Sequence, residues 1–343
     1  VKRIGLLSFG HWNARGRRVR SAADSLLQSI ELAVAAEEIG VDGAFFRVHH
    51  FERQLSAPWP LLAAIAARTS RIELGTGVTD MRYEHPLDAA EEAAAVDLIS
   101  GGRLQLGISR GSPESALHGS RAFGHVPAGD ETDADLARAK TERFLRAIDG
   151  EGVVEADPAV TGIRGRLAVQ PQSPGLRERV WWGAGSRATA AWAAERGMNL
   201  MSSTLLLEDT GVPFDVLQAQ QIREYREAFA DAGWQRAPRV SVARTVVPIV
   251  DDEDLMRFGD PADGADAADQ VGVLDGVRSR GGRTYQGSPG RVARLLAADE
   301  AVQEADTVLF TVPSQLGVDA SVKLLRAIAD HVAPAIGWTP TTL

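Results

Sequence analysis

The chain has 343 residues, 44% hydrophobic, 24% charged and 6% aromatic, a composition that excludes disorder throughout and allows two domains or one large α/β barrel. Its 46 acids outnumber its 37 bases, and the net charge of −9 disfavours nucleic acid and anionic lipid and points to a small-molecule partner. Cysteine is absent, which excludes disulfides, thiolate metal sites and a cysteine nucleophile. The apolar run after Val1-Lys2-Arg3 is too short for a signal peptide, and no run nears the ~18 residues of a membrane span, so no membrane association and a cytoplasmic location are expected.

Short β-branched or apolar runs alternate with amphipathic stretches along the chain. A strand over Ile4–Phe9 precedes a helix that Ser21 and Asp24 can start as a capping box, that Leu26, Ile30 and Val34 supply with an apolar stripe, and that Gly40 ends. A second strand, Gly43–Arg47, is followed by a helix from near Pro58 with Leu61, Leu62 and Ile65 on one face. The third, Arg71–Thr76, leads to a helix with Pro86 in its first turn, Asp88, Glu91 and Glu92 early and Gly101 at its end. The fourth, Arg103–Ile108, is separated by a long Gly- and Pro-containing loop from a helix over about Asp133–Ile148. Val180–Gly183 pairs with a helix over Ser186–Arg196, and Asn199–Ser203 with one over Pro213–Ala230. Strands over Val240–Val250 and Asp306–Val312, with a last helix over Asp319–Val332, complete eight β-α units. Eight units in one chain predict the α/β class and a single (β/α)8 TIM barrel over residues 1–343, with insertions before strand five and between strand seven and helix seven.

Residues 151–179 carry Val153-Val154 and Leu167-Ala168-Val169 among Gly and Pro and predict an inserted hairpin. Residues 251–287 begin Asp251-Asp252-Glu253-Asp254 and are rich in Asp, Ala and Gly. They read either as a solvated, mobile excursion or as a lid over the barrel mouth.

Two glycine motifs carry possible chemistry. Gly107-Ile108-Ser109-Arg110-Gly111 matches the G-x-S-x-G nucleophile elbow after a strand, but Gly111-Ser112-Pro113 follows where the elbow needs a helix. In a barrel, Ser109 and Arg110 instead stand at the C-terminal end of strand four, where barrel active sites are assembled. Gly183-Ala184-Gly185-Ser186-Arg187-Ala188 matches G-x-G-x-x-A between a strand and a helix. After four preceding units it reads as a phosphate cradle on a barrel rim: Gly185 allows close approach, the helix start favours an anion, and Ser186, Arg187 and Thr189 add donors. The bland reading of the same residues is a tight turn followed by an N-cap. His49-His50-Phe51 lies past strand two; on an extended segment the two imidazoles diverge, so no shared metal is expected and one histidine facing the mouth is a candidate general acid or base. Trp59, Trp181 and Trp182 read as core, and Trp12 is the one tryptophan placed to meet a ligand.

Taken in order, residues 48–51, 72–78, His85-Pro86, 102–111, 193–197 and 287–289 resemble the bacterial luciferase-like family of flavin-dependent oxidoreductases over nearly the whole chain. The resemblance implies a (β/α)8 barrel that binds FMN, or the deazaflavin F420 in some branches, at its C-terminal mouth. Gly77 and Val78 would line the isoalloxazine through a non-proline cis peptide, and Ser109 and Arg110 would lie beside the ring or ribityl chain. Gly185, Ser186, Arg187 and Thr189 would hold the phosphate together with Arg138, and His49 takes the place of the family's catalytic histidine. Val48 replaces the glutamate common before the histidine pair, and Ser109 replaces the cysteine of luciferase itself, which counts against light emission more than against flavin chemistry. The implied function is a monooxygenase that uses reduced FMN from a separate flavin reductase, acts on a small organic substrate and pairs as a homodimer through its second and third helices. The rivals are an F420-dependent hydride-transfer enzyme, a flavin-storing protein without turnover, and a serine hydrolase using Ser109.

Overall fold

A computed structural model describes residues 2–13, 21–111, 115–208, 210–259, 268–274, 277–313 and 316–340. Strands β1 (Arg3–Ser8), β2 (Gly43–Phe46), β3 (Glu73–Thr76), β4 (Leu104–Ser109), β5 (Val180–Ala184), β6 (Asn199–Ser202), β7 (Val240–Pro248) and β8 (Thr307–Val312) pair in parallel. The ring closes where Val240 pairs with Leu200 and Ser241 pairs with both Met201 and Thr307. The fold is a TIM barrel, as the eight units predict.

Helices α1 (Ala22–Ile39), α2 (Pro58–Arg68), α3 (Pro86–Ser100), α4 (Asp133–Ile148), α5 (Arg187–Glu195), α6 (Phe214–Asp231), α7 (Pro289–Ala297) and α8 (Val318–His331) follow the strands in turn. Their ends carry the expected signals. Ser21 and Asp24 form a reciprocal capping box on α1, Gly40 and Gly101 close α1 and α3 in the left-handed conformation, and Pro86 opens α3. A box not anticipated, Thr132 with Asp135, starts α4.

Apolar side chains fill the layer between strands and helices, and a second cluster of Leu7, Phe45, Trp181, Met201 and Leu309 fills the barrel interior. Below it, at the N-terminal end of the strands, Glu73 accepts from Arg3 (2.6 Å) and Arg239 (2.9 Å), and the Trp181 indole donates to Gln105 (2.8 Å). The interior is therefore plugged at its base, and a cavity opens at the C-terminal mouth. At the β3–β4 seam the strands meet without side chains between them. A Cβ on Gly75 would stand 2.1 Å from the Gln105 carbonyl oxygen, and one on Gly107 2.2 Å from that of Thr76.

The described part of the 251–287 segment is exposed over much of its length and carries regular structure. It holds a helix at Asp252–Phe258, an antiparallel hairpin of Gln270–Leu274 with Val277–Gly281, and Thr284–Gly287, which adds to β7 in parallel. The hairpin pairs onward with Leu205–Leu206, a contact between distant residues. Residues 260–267 and 275–276 of this segment lie outside the described residues. In the other insertion, Val154-Glu155 pairs antiparallel with Arg166-Leu167.

Arg244 of β7 is fully buried behind the barrel and forms a bidentate pair with Asp299, its Nε at 2.7 Å and its Nη2 at 2.9 Å, while the Tyr285 hydroxyl donates to the same carboxylate. Asp299 also caps the helix at Glu300–Glu304. Removing the acid strands a guanidinium in a dry layer, so Asp299→Ala should lower unfolding stability by about 3–5 kcal/mol in a urea titration. The double variant Arg244→Met/Asp299→Leu should regain most of that loss; equal destabilisation of both variants would contradict the assignment.

Candidate active site

A cavity of about 840 Å3 occupies the C-terminal mouth. Eight of the ten residues singled out from the sequence line it: His49, Gly77, Val78, Ser109, Arg110, Gly185, Ser186 and Thr189. They come from the ends of β2, β3 and β4 and from the β5–α5 junction, elements up to 140 residues apart in sequence that ring closure brings to one rim.

The Gly77–Val78 peptide is cis. It follows β3 directly, and Thr79-Asp80 then pair with Ile108 and Ser109 of β4, so this wall of the cavity is braced on both sides. Ser109 is buried, and its Oγ accepts from the Gly111 amide (3.0 Å); no histidine is hydrogen-bonded to it among the described residues, which leaves the hydrolase reading without a base. Arg110 reaches the cavity and makes no ion pair or hydrogen bond among the described residues. Asp80, by contrast, is neutralised by Arg82, whose Nε and Nη2 stand 2.9 and 2.6 Å from its Oδ2.

At the β5–α5 junction Ser186 is the N-cap of α5. Its Oγ accepts from the Thr189 amide (3.3 Å), the Ser186 amide donates to Thr189 Oγ1 (3.3 Å), and the two hydroxyls lie 3.1 Å apart at the cavity wall. The motif is an N-cap whose two hydroxyls also line the cavity. The two arginines expected beside it stand differently. The Arg187 guanidinium does not line the cavity, because Glu208 (3.1 Å), Glu224 (2.8 Å) and Gln220 (3.3 Å) hold it. Arg138 of α4 is not on the cavity surface either; it lies over the Trp192 ring at 5.7 Å, and its Nε is buried without a partner among the described residues.

Both histidines of the pair line the cavity, where the sequence suggests one. Alternation fails here because β2 ends at Phe46 and the chain turns, with the His49 amide donating to the Leu55 carbonyl (2.8 Å) and Phe51 in the left-handed region. His50 stacks on Tyr83 with centroids 4.0 Å apart, and its Nε2 is buried with no hydrogen-bond partner among the described residues. Among the described residues no cluster of side chains is arranged to hold a metal. Sequence reasoning misses Arg47, Asp80, Arg82, Trp182 and Met201 as cavity residues. Arg47 is within its reach, lying two positions beyond Phe45, which faces the barrel interior. Trp12 is not on the cavity surface; its amide donates to the Arg53 carbonyl (3.0 Å).

Luciferase-like monooxygenase sequences match this chain over residues 6–258. The chain belongs to that family. This luciferase-like chain is 39% identical over 87 residues to the oxygenase component of flavin-dependent trigonelline monooxygenase from Acinetobacter baylyi, 25% of this chain and 24% of that one. Most of the family relatives are matched over a quarter to a half of their length. Over 97% of this chain and 98% of the other, its fold matches the oxygenating constituent of 3,6-diketocamphane monooxygenase from Pseudomonas putida, solved with FMN (TM-score 0.69, 20% identity). The F420-dependent tetrahydromethanopterin reductase of Methanopyrus kandleri matches over 98% and 99% of the two chains (TM-score 0.64, 17% identity).

Within this site, burial first and the Arg47 guanidinium second push the His49 pKa down to about 4. Both effects disfavour the imidazolium, so His49 is neutral across the physiological range. With histidine side chains carbon-labelled and His49 assigned through His49→Gln, its signal in the ligand-free protein should stay flat from pH 8 to 5.5; an inflection near the ordinary ~6.5 would contradict this environment.

Proposed function

We propose that the chain is the oxygenating component of a two-component flavin monooxygenase, taking reduced FMN from a separate reductase and oxygenating a small organic substrate with O2 in the barrel mouth. The observation that carries this reading is the joint placement on one cavity of the cis Gly77–Val78 wall, the Arg110 cation, unpaired among the described residues, and the paired Ser186 and Thr189 hydroxyls. A flat ring, an anionic tail and a substrate all need room together, and about 840 Å3 provides it.

Bound reduced FMN would supply the activation of O2. The chain's own residues do the rest. Gly77 and Val78 present a surface without bulky groups to the ring, and Ser109 and Arg110 lie beside the ring and its ribityl chain. Gly185, Ser186 and Thr189 receive the phosphate, with Arg138 behind them; Arg187 contributes its backbone but not its guanidinium. His49, held neutral, accepts a proton at a ring nitrogen or returns one to substrate. Leu7, Phe9, Met201 and Leu309 keep water from the reacting centre. The hairpin over 270–281 is the lid in this scheme, because Leu205, which it pairs with, lines the cavity. The reading also takes the protein to be a cytoplasmic homodimer joined through α2 and α3.

The test is the absorbance and mass of any ligand released from freshly purified protein, followed by titration of the ligand-free chain with FMN and F420. FMN binding with substrate-dependent consumption of reduced FMN and O2 is expected. Stoichiometric F420 binding without FMN affinity would establish the hydride-transfer rival instead, and tight FMN binding without turnover in a substrate panel would favour storage. His49→Ala should lower turnover by about 10²–10⁴-fold while leaving FMN affinity within about twofold, the signature of proton transfer without a scaffolding role. Parallel loss of both would mark the histidine as structural.

A further inference from the structure

We propose that Met201 is an oxidisable thioether on the cavity floor, placed to take an oxygen atom from hydrogen peroxide in the barrel mouth and, as the sulfoxide, to close the cavity to ligand. The flavin reading enters only as the source of that peroxide, since reduced flavin that meets O2 without substrate passes two electrons and two protons to it. The reactivity of the thioether stands apart from that reading.

The chain has four methionines, and burial separates them. Met81 and Met198 are sealed in the layer between strands and helices, and Met256 is 81% exposed. Met201 is enclosed too, at 6% exposed, but it stands in the interior cluster and lines the cavity. Its backbone is flanked by Gly183 of β5 and Ser241 of β7, so what remains open is the side chain on the cavity side. The bare β4 stave sets where the sulfur lies: a Cβ on Gly107 would stand 2.8 Å from the Met201 Sδ and 3.1 Å from its Cε. The thioether thus fills the space that a side chain at Gly107 would need. Ser109, two residues further along the same face of β4, lines the cavity about 7 Å above Gly107, so the sulfur lies one layer below it.

The chemistry follows from the element and its surroundings. A thioether sulfur is a soft nucleophile that needs no deprotonation and no base, so an enclosed methionine reacts wherever the oxidant can reach it. The sulfur lone pair attacks one peroxide oxygen, and the S–O bond forms as the O–O bond breaks. The departing hydroxide takes the proton left on the transferred oxygen and leaves as water, so sulfur loses the two electrons that peroxide gains. The product puts a strong acceptor beside Leu7, Phe45 and Leu309, and the indole N–H in that cluster, of Trp181, is already given to Gln105. An unsatisfied acceptor there is costly, so the sulfoxide turns out of the cluster towards the polar mouth and takes up room that a ligand needs.

The test is peptide mass spectrometry of the full chain. In dilute hydrogen peroxide the ligand-free protein should oxidise at Met256 first and at Met201 next, with Met81 and Met198 slower than Met201 by at least about tenfold. Unfolding would expose all three enclosed methionines alike, so the two in the core are the internal control, and a Met201 no faster than they are overturns the inference. With reduced FMN and O2 but no substrate, and with catalase in the medium to destroy escaped peroxide, the order should reverse: Met201 oxidised and Met256 spared. Reduced FMN bound and oxidised with Met201 intact overturns the inference alone. A chain that takes up no reduced FMN overturns the flavin reading, and the arm with peroxide then decides the reactivity of the thioether by itself. Peroxide exposure should also lower wild-type FMN affinity about tenfold and leave that of Met201→Leu, a swap that conserves volume, at its own starting value. Equal loss in both overturns closure of the cavity.

Discussion

Everything at the mouth depends on the closure of a parallel sheet into a ring. Two strands, β6 and β7, meet over only two residue pairs, and that short seam makes the eight C-terminal strand ends into one rim. Because each strand of a parallel barrel runs the same way, the residues just beyond the strand ends are collected in one place however far apart they lie in the chain. Leu7 and Leu309 come together in the interior for this reason, and so do the cis wall after β3 and the hydroxyl pair at the start of α5. The plug of Glu73, Arg239, Gln105 and Trp181 fixes the depth of the resulting bowl from below.

The site combines fixed and unsatisfied charges in a defined way. Asp80 is neutralised by Arg82, and Arg187 is held by two glutamates, so those groups are structural in their electrostatics. Arg110 is left with its charge uncompensated among the described residues, in a protein that is acidic overall. His49 belongs to the same pattern: desolvation keeps its ring neutral, and a neutral imidazole is both a donor and an acceptor beside a substrate.

Local signals are legible in the sequence and remote ones are not. Helix ends at Ser21, Gly40, Pro86, Gly101 and Ser186 are set by one or two residues and their own backbone, and they lie where those residue types predict. Strand ends fall within about two residues of their expected places because hydrophobic runs stop where the chain leaves the barrel. The hairpin at 270–281 is unreadable, since its pairing with Leu205–Leu206 depends on residues far away in the chain. The partners of Arg187 are unreadable for the same reason: a sequence shows a guanidinium near a phosphate motif and does not show Glu208 and Glu224 closing on it. Trp182 looks like core and is core by burial; that it also lines the cavity, with an indole nitrogen that has no partner among the described residues, is encoded in no pattern of letters.

The bare seam between β3 and β4 has an effect that reaches beyond packing. Gly75 and Gly107 sit where a single methyl group would wedge two carbonyl-lined strands apart, while Thr76 ties the same seam with a hydrogen bond from its Oγ1 to the Gly107 carbonyl (2.6 Å). These glycines flank the staves that carry the cis wall and Ser109. An alanine at either position would distort the hoop and the cavity above it without removing any atom that lines that cavity, so a screen for loss of function would score two joints of the scaffold as if they were part of the site.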